Sequence, residues 1–437
     1  MFWYAAYRSA SAHLSRSATA SRIIPSARNH VTQSRFLSEQ LADYRTILAD
    51  SKVRTILSAS VLNTFGTGLY SATFVLWVLR GGVTVSTLTL VLSSGAFLAL
   101  FLAPVGAVVA ERWGARNVSV ALSAARGALN VVLALVLPPS VLAGVLLGVL
   151  VLDRLAFPAS QAVVQRVSAG AMQSSVLAAR QLTQTFGLAA GALVAAIFQL
   201  AVPESWFGWL IVLNGVSFFV NALLFARLPA DAALRPQKLP WTDGWPRGRI
   251  ALFLAALAIV DIAGSATGLG LPIYLSIHHN SMIGWVGVAV AVTTWIGTGM
   301  TFFAGRLFAP PGASRRYLVL GTLLVGAACV LIGVAPVSGN AGVVTILLFA
   351  AAIGAGAALA SFAGYYRVME IAEEGYRERV LASYGLSGSL QRLIAPVVLS
   401  ACIAIGDLGW LVFGAVAMAG GALASFALGT QRSENDG

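Results

Sequence analysis

YLVLGTLLVGAACVLIGVAPVSGNAGVVTILLFAAAIGAGAALASFAGYY, residues 317–366, runs for 50 residues without a charged side chain. A helix needs about 20 apolar residues to cross the hydrocarbon core of a bilayer, so this run holds two crossings. Pro336-Val337-Ser338-Gly339-Asn340 supplies the turn between them. Thr55–Leu79 and Gly81–Ala110 are charge-free runs of 25 and 30 residues, one crossing each.

The whole chain fits the same solvent. Its 437 residues are 58% hydrophobic and 10% charged, against roughly 25% charged for a soluble domain. A net charge of +12 on one soluble face would point to nucleic acid. Here the basic residues are better read as topological signals, and no nucleic-acid partner is expected. Cys329 and Cys402 both fall in apolar runs. They lack metal-site spacing and read as small packing residues.

Twelve helices are expected near 55–79, 83–110, 118–137, 140–160, 175–201, 205–226, 250–276, 282–304, 317–335, 341–364, 380–405 and 408–429. Residues 1–53 are rich in Ser, Ala and Arg, with no acid before Glu39. An organelle transit peptide, a disordered cytoplasmic tail and an over-long translation start all fit that composition. A polar linker, 227–249, carries prolines at 236, 240 and 246. It separates an N-terminal six-helix bundle, 54–226, from a C-terminal one, 250–430, with a short tail at 431–437.

Charge placement orients the layout. With both termini cytoplasmic, inside segments hold 23 Lys and Arg and outside loops hold only Arg80, the bias of the positive-inside rule. The reading is a multi-pass protein of the inner or plasma membrane. The two halves also repeat weakly. Val176-Leu177-Ala178 matches Val380-Leu381-Ala382, and Asn63-Thr64-Phe65-Gly66 falls opposite Asp261-Ile262-Ala263-Gly264, as a duplicated six-helix unit would place them.

The loop after the second span reads Pro104-Val-Gly106-Ala107-Val-Val-Ala-Glu111-Arg112-Trp-Gly114-Ala-Arg116. It resembles the signature between helices two and three of the major facilitator superfamily, with Ala107 where Gly is usual and Glu111 in place of Asp. Small residues there permit close helix approach. The resemblance implies a gating loop in which Glu111 faces the positive N-terminus of the eleventh helix. Arg112 and Arg116 would pair with Glu373, Glu374 or Glu378. Arg154-Leu-Ala-Phe157-Pro158-Ala159-Ser-Gln161 is similar to the drug and siderophore exporter branch. Gly187-Leu-Ala-Ala-Gly191-Ala192 resembles the antiporter signature, with Ala192 replacing its Pro. Gly187 and Gly191 also form one smooth face for helix packing.

Charges at mid-depth are expensive and face a cavity or a partner. Asp153 and Asp261 both fall near the middle of their spans, with Arg126 at a similar level. Asp153 is expected to pair with Arg126 or Arg154. Asp261 has no base in its own span. It is the first candidate for proton coupling, Asp153 the second; pairing of Asp261 with Arg392 and a structural hydrogen bond remain open. Substrate-cavity candidates are Asn63, Thr67 and Tyr70 on one face of the first span, then Gln181, Gln184, Asn214, Thr294, Trp295 and Tyr365. Scattered amides and aromatics in an apolar wall suit an amphipathic organic molecule.

No Gly-x-x-x-x-Gly-Lys-Ser/Thr occurs, so ATP hydrolysis within the chain is not expected. The expectation is an all-α carrier, not an enzyme, with no cofactor or metal. It would work as a monomer, exporting a small amphipathic compound by proton antiport. A proton-coupled uptake carrier or uniporter, and a non-transporting sensor or scaffold, are the alternatives.

Overall fold

The computed structural model describes residues 49–167, 173–229, 249–308, 312–371 and 377–427. Most of the expected N-terminal tail and central linker, the C-terminal tail, and Glu373 and Glu374 lie outside these residues. So does the Glu378 side chain.

The first half contains α1 (Ser51–Arg80), α2 (Val85–Trp113), α3 (Ala115–Leu133), α4 (Pro139–Val167), α5 (Gln173–Ala201) and α6 (Gly208–Ala226). The second half opens with α7, which is broken. Arg249–Asp261 is α-helical, Ile262–Ser265 is a 3₁₀ turn, Ala266–Gly270 is a π turn, and Leu271–His278 is α-helical again. Then come α8 (Val286–Leu307), α9 (Ala313–Val334), α10 (Gly339–Ile371), α11 (Arg377–Ala404) and α12 (Asp407–Ala427). The break in α7 has a local cause. Pro272 has no N–H to return to the preceding turn and its ring crowds that turn's carbonyl, while Gly264, Gly268 and Gly270 weaken the helix just before it.

Eleven of these helical segments are long and apolar enough to span a bilayer. The exception is α3, whose Arg126 and Asn130 dilute its apolar content. It crosses between α4 and α6, and its Ser119, Ser123 and Asn130 are buried there. Polar groups are tolerated at that depth because they meet protein instead of lipid. The chain is an all-α integral membrane protein with twelve spans.

Helix neighbours repeat with a period of six. In the first half α1 packs on α5 and α6, α3 on α4 and α6, and α2 on α4. In the second half α7 packs on α11 and α12, α9 on α10 and α12, and α8 on α10. The two bundles meet through α2 with α11 and through α5 with α8, the same interface read in both directions. The weak sequence repeat is thus a structural pseudo-symmetry.

The apolar cores show how the halves sit. At the face opposite the linker, one continuous core joins both halves. It includes Leu76, Val83 and Phe207 from the first, and Tyr274, Ile283, Trp410 and Phe413 from the second. At the linker face the cores are separate. Ile56, Val118, Val163 and Phe225 belong to the first half, and Phe253, Leu257, Leu318 and Ala360 to the second. Polar ties between halves also sit at the far face. Thr89 on α2 and Ser400 on α11 share a 2.5 Å hydrogen bond. Gln199 on α5 donates to Ala72 O and Thr73 Oγ1 on α1 and accepts from the Gly287 N–H on α8. The two halves thus share one apolar core at the far face and keep separate cores at the linker face.

Candidate functional site

The mid-depth charges of the first half gather on three helices. Arg126 Nη2 on α3 lies 2.5 Å from Asp153 Oδ1 on α4. Arg154 Nε stands 3.9 Å from the other oxygen of the same carboxylate. Asp153 is 41% exposed, Arg154 26% and Arg126 15%, so the carboxylate faces open space while Arg126 is wedged into the wall. Its guanidinium lies over the Phe218 ring at 3.9 Å, a cation–π contact that offsets part of its desolvation. Tyr70 on α1 borders the pair and feels both charges. Its ring stacks on Phe74 at 4.7 Å, and its hydroxyl, like Asn63 Oδ1, is buried with no hydrogen-bond partner among the described residues.

Arg392 on α11 faces this cluster from the other half. It is exposed, has no carboxylate within salt-bridge distance among the described residues, and lies within electrostatic reach of Arg154 and Asp153. It does not pair with Asp261. Instead, Asp261 Oδ1 accepts a 2.7 Å hydrogen bond from Ser361 Oγ on α10. Asp261 is the last residue before α7 leaves the α-helical path. One turn on, Ser265 Oγ accepts from Gln391 Nε2 at 2.8 Å, which ties the break to α11 beside Arg392.

The cavity candidates separate into groups. Thr67 and Thr294 donate their hydroxyls to carbonyls of their own helices, Asn63 O and Val290 O. Gln181 is exposed and Gln184 half-buried on α5. Trp295 is exposed at the α5–α8 interface, edge-on to Phe186 at 5.8 Å. Asn214 requires a correction. It is 2% exposed, donates to Asn130 Oδ1 at 2.9 Å, and is enclosed by α3 and by α1 at Gly66. Tyr365, 7% exposed, packs edge-on to Tyr366, which stacks on Phe308. Both side chains fill wall instead of lining space.

In the signature loop, a Cβ on Gly106 would sit 2.5 Å from Leu155 O, so its bareness brings α2 against α4. Gly114, at φ +83°, makes the turn from α2 into α3. Ala107 and Glu111 are half-buried and Arg112 is exposed. Arg116 Nη1 donates to Leu228 O at 2.8 Å, covering an open carbonyl just past α6. Gly187 and Gly191 seat α5 on α1. A Cβ on Gly191 would fall 2.0 Å from Phe65 O, and one on Gly187 2.4 Å from Thr64 Oγ1.

Sequence reasoning did not single out Gln199, Ser361 or Gln391. Gln199 had a visible signal, as one amide in the apolar stretch Ala195-Ala196-Ile197-Phe198-Gln199-Leu200. The other two are recognisable only by partners 100 and 126 residues away in the chain.

Two pseudo-symmetric bundles, sharing a core at one face and holding separate cores at the other, with charges at mid-depth, have the construction of a membrane transporter. The family model for the Major Facilitator Superfamily matches residues 56–396, and the chain belongs to that family. Solved structures share the fold at low identity. A proton-dependent oligopeptide transporter superposes with a TM-score of 0.66 at 13% identity, covering 86% of this chain and 98% of its own. The nucleoside transporter NupG gives 0.64 at 12%, covering 86% and 99%. A bacterial homologue of the iron transporter ferroportin, in an inward-facing state, gives 0.62 at 13%, covering 86% and 97%. No curated protein matches the chain.

Proposed function

We propose that the protein is a secondary active transporter that exports a small amphipathic organic compound by proton antiport. In this reading the linker face is cytoplasmic, both termini lie inside the cell, and the described state is inward-facing. One chain holds the whole site and acts as a monomer in the inner or plasma membrane.

The observation that carries the coupling role is the setting of Asp261. It sits at mid-depth, has one hydroxyl donor in Ser361, and no cation within salt-bridge distance among the described residues. No fixed charge holds its proton off, and the break in α7 begins beside it. Protonation and release there would alternate with substrate while the halves rock. Asp153 is less suited, because it is already paired with Arg126.

Expression in a pump-deficient strain, screened against toxic amphiphiles, tests this. Export should protect the cells, and a protonophore or Asp261→Asn should remove the protection without lowering the amount of protein. Full protection by Asp261→Asn rules out the coupling role. Accumulation inside right-side-out vesicles under an inward proton gradient would reverse the direction to uptake.

A further inference from the structure

We infer that the compound carried is an organic anion, its carboxylate or phosphate held between Arg154 on α4 and Arg392 on α11. This rests on the transporter reading and names the class of its substrate.

Charge balance is the starting point. Three guanidiniums, Arg126, Arg154 and Arg392, surround one carboxylate, Asp153. Arg126 takes that carboxylate at 2.5 Å. Arg154 stands 3.9 Å off, and Arg392 has no acid within salt-bridge distance among the described residues. The other central acid, Asp261, is engaged by Ser361. Two positive charges therefore stand unneutralised on opposite halves. Toward the linker face, Arg180 adds another with only neutral partners, donating to Gln161 Oε1 at 2.9 Å and Ser60 Oγ at 3.3 Å. This excess of guanidiniums over carboxylates gives the region a net positive charge, which concentrates anions and repels cations.

The conformational cycle sharpens the requirement. In the state described here Arg154 is 26% exposed and Arg392 is exposed. Closure of the linker face would desolvate two like charges together if the site were empty, a large penalty in a low-dielectric interior. An oxyanion between them removes one of the two excess charges as a carboxylate, or both as a doubly charged phosphate, and each planar guanidinium can hold it with two hydrogen bonds. The Tyr70 hydroxyl, buried without a partner beside Asp153 and Arg126, is a further donor in the wall behind them.

The test uses the purified full-length chain and four probes of one shape: naphthoate, naphthyl phosphate, naphthylmethylamine and naphthylmethanol. Thermal stabilisation should be greatest for the two anions, and their order tells carboxylate from phosphate. Arg154→Gln and Arg392→Gln should each weaken anion binding about tenfold or more, the loss of one charge-assisted contact. Arg392→Glu should turn the preference toward the amine, which a merely structural role would not do. Equal or tighter binding of the amine or alcohol, unchanged anion binding in both Gln variants, or no binding by either anion overturns the assignment. Counterflow in proteoliposomes separates it from the reading beneath it. Transport of the amine or alcohol alone leaves a transporter of another substrate class, while anion binding without any flux keeps the site and removes the transporter.

Discussion

Gln199 and Gly287 join the two halves at the face opposite the linker, the side-chain oxygen of one accepting the backbone N–H of the other at 3.0 Å. The same amide donates to Ala72 O and Thr73 Oγ1 at 3.0 and 3.1 Å, so one buried side chain ties α1, α5 and α8. Gln199→Leu would strand the Gly287 N–H, whereas the Ala72 carbonyl, inside α1, keeps its own helical bond. An unsatisfied buried group costs about 1–3 kcal/mol, enough to shift a two-state balance by roughly tenfold. Only the sealed far face bears that cost. Spin labels at Ser86 and Ser281, with Cys329 and Cys402 replaced, should report a larger fraction of far-face-open molecules. An unchanged distance distribution would show that the apolar core alone holds the closure.

Arg80 and Glu204 sit at the same face, 3.5 Å apart and about half exposed on both sides, beside a hollow of about 480 Å³. Solvent screening leaves such pairs worth little. Arg80→Gln should therefore leave both the melting temperature and the spin-label distances close to wild type, in contrast to Gln199→Leu. A comparable opening in both variants would mean that surface charge takes part in the latch.

Some of this architecture was readable from sequence and some was not, for definite reasons. Hydropathy and charge asymmetry locate α3 within a few residues although Arg126 and Asn130 depress its apolar character, because the turns on either side bound it. Gly187 and Gly191 announce a close helix contact by their spacing, and Phe65 and Thr64 on α1 provide it. Partners across the bundle leave no local mark. Asp261 meets Ser361 from α10, and an Arg on α11 was an equally good candidate by depth. Asn214 shows the same limit. An amide in an apolar span does not disclose which side it faces, and this one turns toward Asn130 because α6 lies at the rim of its bundle. The break in α7 was foreshadowed by Pro272 and its glycines, but hydropathy averages over both.

The α1–α5 seam gives a paired prediction. In Gly191→Ala the new methyl would lie 2.0 Å from Phe65 O and 3.1 Å from the Gly68 Cα, both backbone atoms that cannot swing aside. Forced overpacking costs about 1–3 kcal/mol, and loss of folded protein in fluorescence-detected size exclusion should show it. Gly144, on α4, has nothing within 4 Å of its own Cβ position. Gly144→Ala should raise the melting temperature slightly, since Ala is favoured over Gly within a helix by about 0.5–1 kcal/mol. The same sign for both variants would mean that the tight seam relaxes freely.

The Arg126–Asp153 pair allows the sharpest energetic test, because its two members are unequally buried. Removing one partner of a fully buried pair costs about 3–5 kcal/mol. Asp153 is 41% exposed, so water screens the contact and about 1–3 kcal/mol is a fairer expectation. Asp153→Leu strands Arg126, which is 15% exposed and backed by Phe218. Arg126→Met leaves Asp153 able to turn to solvent and to Arg154, 3.9 Å away. The Asp153→Leu variant should therefore melt lower than Arg126→Met, and the double variant should recover much of the loss. Unfolding midpoints of all four proteins in one detergent close the cycle. Strictly additive losses would mean that the 2.5 Å contact contributes nothing of its own, and that Arg126 is held in place by the Phe218 ring alone.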